Sequence, residues 1–163
     1  MFDLQTFTHV HVAISLVAIL SGLVVVLGLL TNRGLDHWTS FFLLTTAATS
    51  VTGFFFPFHG FTPAIGVGIV SLLILTLTIF ARYGRHLLGR WRWLFVIGAT
   101  LSLYLNVFVL IVQLFENVPA FQALAPTQSE PPFLAAQLLT LVLFVVLGIL
   151  ATIRFQPESI RPN

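Results

Sequence analysis

Long apolar runs broken by short polar connections divide the chain into five segments, at about 11–30, 38–56, 63–82, 93–116 and 132–153. Each is near the ~20 residues that carry a helix across a bilayer core. The breaks are marked by turn chemistry. Thr31-Asn32-Arg33-Gly34 closes the first run. Asp36 is positioned to cap the second, which Pro57 stops. After a very short connection, Thr62 caps a third helix with Pro63 at its first position. The basic stretch ARYGRHLLGRWRW leads into the fourth. A longer connection, Val118 to Ser129, ends where Ser129 can cap the fifth.

Within these runs the polar positions fall on helical faces. In the fourth, Ser102, Asn106, Gln113 and Glu116 are spaced by 4, 7 and 3 and share one face. An amide in mid-membrane is costly against lipid, so this stripe is expected to face protein or a wet cavity, with the fourth helix at the centre. In the first run His11, Ser15, Ala18 and Gly22 align. In the fifth Gln137, Thr140, Phe144, Gly148 and Ala151 do the same. The second carries Thr45, Thr49 and Gly53 in one row and Thr46 and Ser50 in the next, a small-residue surface for close helix packing.

Composition removes the soluble alternative. Of 163 residues 58% are hydrophobic and 7% charged, with mean hydropathy +1.03, against about 25% charged in soluble domains. The expected class is an all-α polytopic membrane protein, residues 1–163 forming one compact transmembrane domain. No charged segment is long enough for a soluble domain. Cysteine is absent, which excludes disulfide and thiolate chemistry. The start, MFDLQTFTHVHV, lacks a basic n-region and is expected to be neither a signal peptide nor a lipidation box.

Charge then orients the bundle. With the 82–92 connection in the cytoplasm, all seven Arg fall on that side together with Asp36 and Glu158, while Asp3, Glu116 and Glu130 fall outside. The positive-inside rule gives N-terminus outside and C-terminus cytoplasmic, in the cell (inner) membrane. Arg82, Arg85, Arg90 and Arg92 are expected to orient the chain and contact anionic lipid headgroups. So short a cluster does not suggest nucleic-acid binding.

That topology gathers His11, His59, Gln113, Glu116 and Gln137 toward the outer leaflet, a candidate ligand-binding set. His11, His59 and Glu116 are suitable donors for a divalent metal. His9 and His11 could share one metal only on extended chain, because residues two apart do not face one way on a helix. A five-helix plan with the N-terminus outside is similar to membrane haem subunits of respiratory reductases, which hold haem b between His residues on facing helices. Here the fourth and fifth segments contain no His, and His37 and His86 lie in connections. A two-haem relay is therefore not expected, leaving one shallow haem on His11 and His59 as the compatible form. No GxSxG or HExxH pattern supports hydrolytic chemistry.

The expected function is a non-enzymatic accessory or assembly subunit of a membrane complex, partnered by other membrane subunits or itself, with a polar pocket at the outer face. The alternatives are a redox module binding metal, haem or quinone through the outer set, and a small transporter or channel using Ser102, Asn106 and Gln113.

Overall fold

The structure, a computed structural model, describes residues 3–57, 60 and 63–157. Its elements are helices α1 Leu4–Leu30, α2 Asp36–Gly53, α3 Pro63–Ile79, α4 Arg90–Asn117, α5 Pro119–Leu124 and α6 Pro131–Arg154. A wider π turn, Phe80–Gly84, extends α3. No strand occurs among the described residues. Among the described residues four helices are long and apolar enough to cross a membrane: α1, α3 with its π turn, α4 and α6.

α2 corresponds to the second expected span but is less apolar than these four. Seven of its eighteen residues carry hydroxyls. Ser40, Thr45 and Thr52 donate to carbonyls four residues back, at 2.9, 2.9 and 2.7 Å. Such back-bonding satisfies a hydroxyl within its own helix and lowers its cost away from water.

The boundaries differ from the sequence expectation in instructive ways. α1 begins seven residues early, at Leu4, so His9 and His11 both lie on helix and cannot converge on one metal. Leu35, not Asp36, precedes α2, and Asp36 instead reaches Arg82. Glu130, not Ser129, precedes α6, whose first residue is Pro131, while the Ser129 hydroxyl pairs with that of Thr127 at 2.6 Å. Thr62 lies outside the described residues, but Pro63 does open α3. The 118–129 connection contains the short helix α5, which the Pro signals did not reveal.

The α1–α2 turn shows how local chemistry sets the packing. Asn32 takes φ 55°, with Asn32 N–H on Leu29 C=O at 3.2 Å and Arg33 N–H on Gly28 C=O at 2.8 Å. This is a Schellman end with Asn in the left-handed position. Leu35 then folds back over Gly28, where a Cβ would lie 2.8 Å from Leu35 Cδ1.

α4 packs against α1, α2, α3, α5 and α6, as its polar stripe led one to expect. Phe95, Val96, Ala99 and Leu103 on α4 are completely buried, with Phe42 of α2 and Ala18 of α1. α6 seats on α1 and α4 but buries only Phe144 and Ala151. The rest of its surface is an apolar face.

Candidate functional site

The sequence-expected outer set separates into three local arrangements. His11, half-buried on α1, meets α2: its Nδ1 lies 2.8 Å from Thr52 Oγ1, and its ring packs edge-on to Phe56 at 5.1 Å. Gly53 leaves room for that ring, since a Cβ there would contact His11 Cε1 at 3.8 Å. At the end of α4, Gln113 and Glu116 are exposed and bond to each other at 3.1 Å. Asn117 completes this cluster by donating to Gln113 Oε1 and to its carbonyl, both at 3.0 Å. Gln137 of α6 donates instead to the Phe108 carbonyl of α4 at 3.3 Å.

No hydrogen bond joins His11, Gln113, Glu116 and Gln137 across these arrangements, apart from the Gln113–Glu116 pair. The C-terminal part of the α4 stripe, Gln113 and Glu116, is exposed rather than turned into protein. Residues three or four apart at a helix end bond most readily to one another when no facing helix covers them. Among the described residues there is no group of three or more His, Asp or Glu that could hold a metal. His59 lies outside the described residues.

The deeper stripe does face protein. Ser102 is buried, and Asn106 Nδ2 donates to Thr46 Oγ1 at 3.2 Å, an α4–α2 bond of the kind its depth requires. Thr46 itself is 1% exposed. Ser102 Oγ, Thr49 Oγ1 and Gln137 Oε1 are buried without a hydrogen-bond partner. Each is an acceptor with open capacity in the interhelical seam.

Sequence reasoning missed Thr52 and Phe56 as the surroundings of His11. The only signal was the hydroxyl density of α2, which does not say which hydroxyl meets which helix. The Phe108 carbonyl carries no sequence signal at all, because any residue supplies one.

The Arg-rich end is more differentiated than its sequence. Arg82, 10% exposed at its side chain, pairs with Asp36 and lies over the Phe95 ring at 5.2 Å. Tyr83 bonds Ser40 at 2.7 Å, a second tie from the π turn to α2. Arg92 donates to the Thr152 carbonyl at 3.0 Å and to that of Phe155, satisfying free carbonyls at the end of α6. Asn32 accepts from the Gln156 N–H at 2.7 Å, binding the residues after α6 to the α1–α2 turn. Two of the four arginines expected at lipid headgroups are thus occupied by the protein. Arg85 and Arg90 are exposed, with Arg85 over the Trp91 ring at 5.1 Å.

At the opposite end Glu130 organises the turn before α6. Partial desolvation raises its carboxyl, but the Thr127 hydroxyl and the N–H groups of Glu130, Thr127 and Ser129 outweigh that and hold it below the ordinary glutamate range. The Thr127 hydroxyl donates at 2.8 Å and the Ser129 N–H at 3.1 Å. Phe115 is clamped beneath the connection between Phe121 and Phe133, with centroids 5.4 and 5.3 Å away.

Comparison of the chain with protein-family models, curated proteins and solved structures finds no match.

Proposed function

We propose that the chain is a non-enzymatic accessory or assembly subunit of a cytoplasmic-membrane complex, spanning the bilayer five times with the N-terminus outside. The observation that carries this reading is how the intramembrane polar groups are used. Asn106 to Thr46, His11 to Thr52 and Gln137 to the Phe108 carbonyl each join two helices. Interhelical hydrogen bonds of this type hold membrane bundles together. The exposed apolar face of α6 suits a lateral contact with lipid or another membrane subunit.

α2 is taken to complete the five spans. Its eighteen residues extend about 27 Å at 1.5 Å per residue, close to the ~30 Å hydrocarbon core. The Arg distribution supports the orientation. Reporter fusions after Asn32 and Arg90 are expected to signal cytoplasm, and fusions at Phe58 and Thr127 the outside. A cytoplasmic signal at Thr127 overturns the topology.

For the function, the chain is solubilised from its native membrane in mild detergent, sized, and examined by optical spectroscopy and metal analysis. A mass above that of the single chain, with no stoichiometric chromophore or metal, is the expected result. One haem, quinone or metal per chain refutes the accessory reading and favours a redox module.

A further inference from the structure

The connection between the π turn and α4 forms an open bowl of about 520 Å³, lined by Gly84, Arg85, His86, Leu88, Gly89, Arg90 and Trp91. That volume falls within the roughly 300–1,000 Å³ typical of small-molecule clefts. Its lining is largely apolar, and the polar side chains set in it, Arg85, His86 and Arg90, all carry N–H donors. Arg82 and Arg92, on either side, are bound to Asp36 and to the end of α6. The Arg85 and Arg90 guanidiniums have no such partner: neither makes a salt bridge or side-chain hydrogen bond among the described residues. Two arginines and a histidine lining one concavity, with no carboxylate among the residues that line it, are an arrangement that recognises phosphate oxygens.

The bowl is also pre-shaped. Trp91 stands edge-on to Phe80 at 5.3 Å and supports the Arg85 guanidinium on its ring face. Stacking fixes the plane of Arg85 while leaving its N–H edge free to bind. His86, Leu87 and Gly89 take φ of 50°, 59° and 56°, so the backbone between the helices is held in one sharply turned path.

The surroundings indicate the source of the phosphate. Leu88 in the lining is 60% exposed, and Tyr83 and Trp93, close in sequence to the lining residues, are 47% and 51% exposed. Large apolar and amphipathic side chains next to basic ones are characteristic of the membrane–water boundary.

We propose that the bowl formed by Arg85, His86 and Arg90 is a discrete site for the phosphate of an anionic phospholipid headgroup. The guanidiniums engage the phosphate oxygens, and the exposed Leu88 and Trp93 lie against the glycerol and upper acyl region. This deepens the membrane reading above by assigning the headgroup contact to two of the four arginines. It does not depend on which side of the membrane the connection faces.

Native mass spectrometry of the full chain, delipidated in detergent, tests the site with short-chain phosphatidylglycerol as probe. A saturable 1:1 adduct is expected. The R85Q/R90Q double variant is expected to weaken it about tenfold or more, as loss of charge-assisted pairing implies. R33Q/R154Q, with the same change in net charge away from the bowl, is expected to stay within about twofold of the parent. Arg90→Gln alone removes a side chain with no salt bridge or side-chain hydrogen bond among the described residues, is expected to weaken the adduct in the same direction, and keeps the test valid should the double variant misfold. Equal weakening by both double variants refutes a discrete site in favour of general charge attraction. Complete displacement of the lipid by millimolar inorganic phosphate refutes the lipid as occupant and assigns the bowl to free phosphate. These measurements in detergent are independent of the fusion assay, so a wrong topology and a wrong lipid site give different failures.

Discussion

Gly22 sits where α1 meets both α2 and α4, and adding one methyl there perturbs all three. A Cβ at this position would lie 2.7 Å from Leu103 Cδ1 and 2.7 Å from Phe42 Cε2, against ordinary contact beginning at 3.4 Å. Both neighbours are completely buried, so neither can swing into open space. Overpacking of this kind costs typically ~1–3 kcal/mol, and the squeeze from two sides places Gly22→Ala in the upper half of that range, about 2–3 kcal/mol. Within a bilayer the apolar transfer term is largely absent, because lipid is as apolar as Leu, so lost packing and strain make up most of the change. Leu103→Ala alone opens a cavity and is also destabilising. When the two substitutions are combined, the methyl added at position 22 enters part of the space that Leu103 vacates. The double variant is therefore expected to be at least ~1 kcal/mol more stable than the sum of the singles. Reversible unfolding in mixed micelles, followed by helical circular dichroism, measures all four proteins. Gly22→Ala with parental stability, or strict additivity, refutes the three-helix junction and with it the central place of α4.

Asn106→Leu is expected to cost about 0.6 kcal/mol and no more than ~1.7 in the same assay. A cycle with Thr46→Val should recover that value as coupling, and zero coupling would remove the α4–α2 bond. His11→Ala, Gln113→Leu and Gln137→Leu are expected to be additive, since the three bond to different neighbours; a shared non-additive phenotype would restore a single outer-face ligand site. Glu130 has its carboxyl lowered in the folded chain, so its contribution to holding the 127–130 turn is complete above the ordinary value of 4.5 and is lost as pH falls through the lowered folded value. Hydrogen exchange of the Thr127 amide should accordingly lose part of its protection on acidification in the parent and show no such step in Glu130→Gln.

Most of the helical architecture was legible in the sequence because its cause is local and one-dimensional. A run of about twenty apolar residues satisfies its own backbone only as a helix, and Pro63 and the Thr31–Gly34 turn mark ends that depend on neighbouring residues. Faces were legible too: Ser102 and Asn106 had to point inward, and Ala18, Gly22, Phe144 and Ala151 are indeed packed. The sequence did not distinguish α2 from its more apolar companions, since hydroxyls bonded back to their own helix are tolerated in ways that hydropathy alone does not register.

Partnership was a different matter, because it depends on the angle and register at which helices meet. The depth of Gln113 and Glu116 grouped them with His11, yet α4 turns that end outward and His11 closes against Thr52 and Phe56 of α2. Four arginines within eleven positions are equivalent as charges. Only the packed chain assigns Arg82 to Asp36 and Arg92 to the carbonyls ending α6, leaving Arg85 and Arg90 beside one open bowl. The sequence by itself determined the apolar helices and the inward faces, which follow from each segment's need to satisfy its own backbone. Only the tertiary structure decided which polar groups are consumed in holding the bundle and which remain available, because that is fixed by which side chains from distant segments come within hydrogen-bonding reach.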